Sequence, residues 1–188
     1  MIQEVNLQRS YVVLLLLLLL GYGLRVYRID TQELRGDEAF SWNYVAHESG
    51  PISLAKRIVS EGDPQPPLHY LMLQNWVRIF GDREWAMRIP SAFLSLILIP
   101  LVYQFAARAA THSVGLITAA ITTLHPFQIW LAQDVRNMYQ LALGFGLAGT
   151  LLLPGMIEGK RAYWFGYVLL GTLAMYSHYY ALFGLLAH

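Results

Sequence analysis

The hydrophobic residues of this chain are gathered into long runs separated by short polar joints. The first run covers residues 11–27 and contains seven consecutive leucines, Leu14 to Leu20. A helix of its 17 residues would be about 26 Å long, near the minimum for crossing a bilayer. The pattern predicts five membrane-spanning helices, at residues 11–27, 90–107, 114–131, 138–157 and 162–180.

A secretory signal peptide is the alternative interpretation of the first run. Such a peptide ends in a cleavage site made of small residues, whereas Arg25 and Arg28 lie at the exit of this run. We therefore predict an uncleaved span. The sequence stops at His188 inside a further apolar run, so we expect residues 1–188 to be the N-terminal part of a longer protein.

Residues 28–89 form a long polar and aromatic segment between the first two predicted spans. Two short helices are predicted in it, at residues 38–48 and 68–80. The second would be only about 20 Å long, so we predict that it lies in the membrane interface rather than crossing. The predicted fold class is an all-α, polytopic bundle of transmembrane helices with interfacial helices in the first outer loop.

Composition supports a membrane protein. Of the 188 residues, 56% are hydrophobic and 13% are charged, whereas soluble domains carry about 25% charged residues. The net charge of +1 gives no indication of nucleic-acid binding, and the lack of cysteine excludes disulfides and thiolate metal sites.

The positive charges predict the orientation of the chain. Arg108, Lys160 and Arg161 flank spans in short joints, which places those joints in the cytoplasm by the positive-inside rule. The loop at residues 28–89 and the joint that contains Asp134 then lie on the outer face. We expect an integral, multi-pass protein of a prokaryotic plasma membrane.

Three carboxylates on that outer face are candidate catalytic groups: Asp37, Glu38 and Asp134. A carboxylate at the edge of a bilayer is costly unless it is paired or used. Asp37 and Asp134 could supply a general base, or bind a divalent cation such as Mg²⁺ or Mn²⁺, and we expect their carboxylates to approach within about 10 Å. The alternative is that they are ordinary solvated loop residues.

Further polar residues near the same face are candidates for binding a substrate. Arg136 could hold a lipid phosphate through two hydrogen bonds, or it could simply pair with Asp134. The full set of candidate substrate-binding residues is Arg136, His69, Gln65, Tyr139 and His178.

Four short stretches resemble the C-type membrane glycosyltransferases, in particular the dolichyl-phosphate-mannose protein mannosyltransferases and the bacterial aminoarabinose transferases of lipid A. They are R-G-D-E-A-F at residues 35–40, Q-P-P-L-H-Y at 65–70, R-I-P-S-A at 88–92 and Q-D-V-R-N-M-Y at 133–139. Their order and their placement around the predicted spans are similar to those of that family.

The resemblance implies an inverting transfer of a sugar from a polyprenyl-phosphate donor to a protein, lipid or glycan acceptor on the outer face. It implies that Asp37 is the base and that Asp134 is a second acidic residue near the site. Family members have more than ten spans and often a soluble C-terminal domain, so further ligands of the donor phosphate are expected outside residues 1–188.

Two other classes of protein are alternatives. A truncated, non-catalytic membrane protein or assembly partner would have the same spans. A transporter would carry charged residues near the middle of its spans, whereas Arg108, Asp134 and Glu158 fall at predicted span ends. The sequence therefore favours the glycosyltransferase over the transporter.

Overall fold

The computed structural model describes residues 2–63 and 65–188, and every regular element within these residues is a helix. This confirms the predicted all-α fold class. The helices are α1 (Ile2–Val26), α2 (Gly36–His47), α3 (Pro51–Ser60), α4 (Leu68–Phe80), α5 (Glu84–Ala109), α6 (His112–Leu124), α7 (Pro126–Ala132), α8 (Met138–Thr150), α9 (Leu153–Ile157), α10 (Arg161–Ser177) and α11 (Ala181–Leu186).

Two of the described helices are long and apolar enough to cross a membrane, namely α5 and the Gln8–Val26 part of α1. Helices α6 and α7 make a third candidate if the pair counts as one span bent by 60°. Many leucine, isoleucine and phenylalanine side chains on α1, α5 and α6 are exposed, as expected for surfaces that face lipid. The protein is an integral membrane protein.

The predicted third and fourth spans are each broken into two helices. The third breaks at His125, which is extended (φ −64°, ψ 119°), because the residue before a proline is disfavoured in the helical conformation. The fourth breaks after Thr150, and Pro154 lies in the first turn of α9. Which of these segments cross the membrane stays a prediction.

Helix α5 begins six residues earlier than the sequence predicted, at Glu84, so that Pro90 lies inside it. Proline has no amide hydrogen, which leaves the carbonyl four residues earlier without its helical donor. That carbonyl belongs to Ala86, and the indole Nε1 of Trp76 donates to it at 2.8 Å. A side chain from α4 therefore replaces the missing bond.

The bundle is centred on α5, which packs against α1, α6, α7 and α8. Its described core contains Leu14, Ile99, Tyr103 and Ala119. Gly115 allows α6 to approach α5 closely, since a Cβ atom there would lie 2.8 Å from the Tyr103 carbonyl oxygen.

Helices α2, α3 and α4 form a separate layer with its own core. Helix α3 was not predicted from the sequence; it begins at Pro51 and buries Leu54 and Ile58. The layer core also includes Met87 from the start of α5 and Val135 from the joint between α7 and α8. These two residues fix the layer against one end of the bundle.

Candidate functional site

A buried ion pair joins α2 to the start of α5. Glu38 and Arg88 are 0% and 1% exposed, and Arg88 donates to both Glu38 oxygens, from Nε at 3.1 Å and Nη2 at 3.0 Å. The same carboxylate accepts from the backbone N–H groups of Arg35 and Val135, each at 2.9 Å. The rest of the Arg88 guanidinium donates to the carbonyl oxygens of Ile29, Gln32 and Glu33.

These contacts keep Glu38 ionised. Burial raises the pKa of Glu38, but the hydrogen bonds from Arg88 and from the two backbone N–H groups outweigh it, so the pKa lies below its ordinary value. Both oxygens are engaged within the protein. The carboxylate therefore connects the segment before α2, the start of α5 and the joint before α8.

Asp134 is also buried, with 4% exposure. Its Oδ1 accepts from the backbone N–H of Arg136 at 2.8 Å, and its Oδ2 accepts from Nη2 of Arg35 at 3.0 Å. The Arg35 guanidinium lies 4.3 Å from the ring centroid of Trp130. Burial, and secondarily the negative charges of Glu38 and Asp37, raise the pKa of Asp134 above its ordinary value despite the Arg136 and Arg35 contacts.

Asp37 is the accessible member of the group, with 49% of its side chain exposed. Its Oδ2 accepts from Nη1 of Arg136 at 3.2 Å, and its Oδ1 accepts from the Glu38 N–H at 3.2 Å. Arg136 thus contacts Asp37 through its side chain and Asp134 through its backbone. We call this set the carboxylate cluster; it comprises Asp37, Glu38 and Asp134 with Arg35, Arg88 and Arg136.

The predicted cation site of Asp37 and Asp134 can be compared with this geometry. Each of the two carboxylates already accepts from a guanidinium group and from a backbone N–H. Among the described residues, no three histidine, aspartate or glutamate side chains are arranged to hold a metal ion.

His69 connects α4 to the same joint. It is fully buried, and its Nδ1 lies 2.9 Å from Oδ1 of Asn137. Burial lowers the pKa of His69 to about 4, so the ring is neutral at pH 7. Three buried nitrogen atoms here have no hydrogen-bond partner within the described parts of the chain: His69 Nε2, Asn137 Nδ2 and Arg136 Nε.

Gln65 lies just before α4 and is partly buried. Its backbone N–H donates to Oδ1 of Asp63 at 2.8 Å, and the Tyr70 hydroxyl donates to Oδ2 of the same residue at 2.7 Å. Asp63 therefore fixes the entry into α4, which in turn sets the position of His69.

Tyr139 and His178 pack against each other, with ring centroids 4.9 Å apart and ring planes tilted by 35°. They lie at one end of an apolar cavity of about 370 Å³ between α8, α10 and α11. The other lining residues include Leu143, Gly146, Leu147, Ala181 and Leu185.

The four stretches that carried the family resemblance meet at this site. They contribute Asp37 and Glu38, His69, Arg88, and the Asp134 joint, respectively. Sequence reasoning missed the structural roles of Arg35, Arg88 and Asn137. The signal for Arg88 was its place in the resembling stretch R-I-P-S-A at residues 88–92.

Comparison with known proteins gives one family. A family model described as dolichyl-phosphate-mannose-protein mannosyltransferase matches residues 64–188, which is more than half of the chain. The match includes Arg88, Asp134 and Arg136, and it begins after Asp37 and Glu38. No curated protein and no solved structure matches the chain.

Proposed function

Because the chain belongs to the dolichyl-phosphate-mannose-protein mannosyltransferase family, and is therefore a membrane glycosyltransferase of the C type, we propose that it uses a polyprenyl-phosphate sugar as donor. The acceptor is a hydroxyl or amine of a protein, lipid or glycan, and the transfer inverts the anomeric carbon. We place the reaction at the outer face of a prokaryotic plasma membrane.

This donor needs little acid catalysis. The phosphate is a good leaving group because it departs as a stabilised anion, unlike the alcohol that a glycosidase must protonate. The site must instead supply a base for the acceptor and cations for the phosphate. A cluster that mixes carboxylates with arginines at the edge of the membrane has both kinds of group.

The accessibility of Asp37 is the observation that carries this proposal. The carboxylates of Glu38 and Asp134 are buried, whereas about half of the Asp37 side chain is exposed. Asp37 removes the proton of the acceptor while the acceptor oxygen or nitrogen forms its bond to the anomeric carbon. The bond from that carbon to the phosphate oxygen breaks on the opposite side, and its electron pair leaves with the phosphate.

Arg136 is placed to stabilise the leaving phosphate. Its Nη1 pairs with Asp37, and its buried Nε has no partner within the described residues. A donor phosphate that binds the Arg136 guanidinium would also break the ion pair between Arg136 and Asp37. Donor binding would thereby free the Asp37 carboxylate to act as the base. We further propose that Tyr139 and His178 contact the donor and that the adjacent cavity receives the start of its lipid chain.

The proposal is tested by transfer from a radiolabelled polyprenyl-phosphate sugar in membranes that contain the full-length gene product. We expect Asp37→Asn to lower the transfer rate about a hundred to ten thousand fold, because the amide cannot accept a proton. Donor binding should remain close to normal. Arg136→Ala should weaken donor binding instead.

Asp30→Asn is the matched control, since Asp30 is an exposed aspartate of the same loop, and it should transfer normally. Turnover by Asp37→Asn close to that of the unmodified protein would show that the base lies elsewhere.

A further inference from the structure

Arg25 is a buried cation inside the helix bundle. It lies in the last turn of α1 and is 0% exposed. Its Nε donates to the Ser95 hydroxyl of α5 at 2.8 Å, and its Nη1 donates to the Gly21 carbonyl at 3.2 Å. None of the contacts described for it is to a carboxylate. Burying an unpaired charge in a membrane protein is costly, so the other contacts of this guanidinium need an explanation.

Those other contacts are made at the break between α6 and α7. Pro126 has no amide hydrogen, so the Thr122 carbonyl loses its helical donor. The Phe127 N–H donates to the His125 ring instead, so the Thr123 carbonyl loses its donor as well.

Arg25 replaces both missing donors. Its Nη2 donates to Thr122 and its Nη1 to Thr123, each at 3.2 Å. Without water in the bilayer, such carbonyls need an internal partner.

The far end of α7 is fixed to the same turn of α1. Gln133, the residue after α7, donates from Nε2 to the carbonyl oxygens of Arg25 at 3.2 Å and Tyr27 at 2.9 Å. The end of α6 and the end of α7 are therefore both bonded to the last turn of α1 and the residue after it. Helix α7 contains Trp130, whose ring packs against the Arg35 guanidinium. Asp134 follows Gln133 directly.

We propose that Arg25 is a positioning residue that holds the 60° bend between α6 and α7. The bend sets the place where Trp130 and Asp134 meet Arg35, and thereby the geometry of the carboxylate cluster. The effect on transfer rests on the proposed function, whereas the effect on the bend does not.

Three variants of the full-length protein separate positioning from simple stabilisation. Arg25→Met leaves two carbonyls without donors, so both thermal stability and turnover should fall. Pro126→Ala supplies the amide hydrogen that Thr122 lacks. The double variant Arg25→Met/Pro126→Ala should therefore regain stability through a straighter helix. Its turnover should stay at least about tenfold below that of the unmodified protein, because the bend is lost.

Trp130 gives a readout that does not depend on transfer. In protein labelled with 5-fluorotryptophan, its fluorine resonance, assigned through Trp130→Phe, should shift in Arg25→Met and in the double variant. Arg25→Lys keeps the charge and should restore part of the turnover. Arg28→Met is the matched control, since Arg28 is exposed three residues along the chain, and it should change neither property.

Two results would overturn the proposal. One is recovery of both turnover and stability in the double variant, since Arg25 would then only supply the missing hydrogen-bond donors. The other is a Trp130 resonance that does not move in Arg25→Met. If the unmodified protein shows no transfer, that result contradicts the proposed function. The role of Arg25 in the bend is then tested by the Trp130 resonance alone.

Discussion

At the scale of single residues, two glutamates of the same layer illustrate how burial changes an ion pair. Glu38 has 0% side-chain exposure and faces Arg88, whereas Glu61 is 43% exposed and faces Arg57. In the buried pair, water cannot replace a lost partner. In the exposed pair, water solvates whichever group remains.

We expect Glu38→Gln to lower the free energy of unfolding by about 3–5 kcal/mol, because the amide leaves the buried Arg88 charge uncompensated. Glu61→Gln, the matched control, should leave stability nearly unchanged. Both are measured as denaturant or thermal unfolding of the protein in detergent. A Glu38→Gln protein as stable as the control would contradict a stabilising role for the buried pair.

Adding Arg88→Met to Glu38→Gln removes the uncompensated charge and should recover part of the loss. This double variant distinguishes an unpaired charge from a general failure of packing.

The sequence identified the acidic residues but not which of two neighbours faces inward. Asp37 and Glu38 both lie in the first turn of α2, and adjacent residues on a helix point in directions about 100° apart. Which one is buried depends on Arg88 and Val135, which lie 50 and 97 positions away. The local pattern of polar and apolar residues does not reveal partners so far away in the sequence. The catalytic role of Asp37 stays a prediction.

At the scale of elements, the contact between α5 and α6 depends on one glycine. A Cβ at Gly115 would lie 2.8 Å from the Tyr103 carbonyl oxygen, 2.9 Å from the Tyr103 ring and 3.0 Å from the Ala107 Cβ. The nearest atom belongs to the backbone, so a side-chain rotation cannot relieve the clash. The two helices would have to move apart.

We expect Gly115→Ala to destabilise the protein by about 1–3 kcal/mol, the usual effect of overpacking a tight core. Gly146→Ala is the control, since a Cβ atom at Gly146 in α8 would meet no described atom within 4 Å outside its own helix backbone and chain neighbours. It should be neutral or slightly stabilising, because alanine is the better helix former. Equal melting temperatures for the two variants would show that the close approach is unimportant.

Element type was easier to predict than element continuity. Apolar runs indicate helices because main-chain groups in lipid must bond within their own segment. A proline alone does not decide whether such a helix ends. Helix α5 continues through Pro90 and Pro100, whereas α6 ends before Pro126. Trp76 bonds the carbonyl left free by Pro90, and Arg25 bonds the one left free by Pro126. The sequence contains each of these residues but not their pairing.

At the scale of the whole molecule, the carboxylate cluster and the basic joints are separated by the length of α5. This helix has 26 residues and is about 39 Å long. Arg88, near its start, lies in the carboxylate cluster. Arg108, in its last turn, lines a cavity of about 670 Å³ together with Glu158 and Lys160. The basic joints are thus gathered at the end opposite the cluster.

We therefore predict that Ser49 and Ala110, both exposed, lie on opposite sides of the membrane. In this cysteine-free segment, Ser49→Cys should react with an impermeant thiol reagent applied to intact cells. Ala110→Cys should react only after permeabilisation, as the positive-inside rule requires. Labelling of both from the same side would be incompatible with this orientation.

The membrane class and the family were the most predictable features, because both rest on patterns distributed along the whole chain. The layer of α2, α3 and α4 was predicted only in part. Its core uses Met87 and Val135 from outside the loop, so no pattern within the loop specifies how its helices pack.

The long separation of the partners of Glu38 has a consequence for synthesis. When Glu38 leaves the ribosome, Arg88 is still 50 residues away and Val135 is 97 residues away. At roughly 5–20 residues per second, the chain needs about 5–20 s to reach Val135. Glu38 first has only the preceding Arg35 beside it; Arg88 follows after 50 residues and the Val135 N–H after 97. The carboxylate cluster is therefore completed only after the segment that ends with α7 has been synthesised.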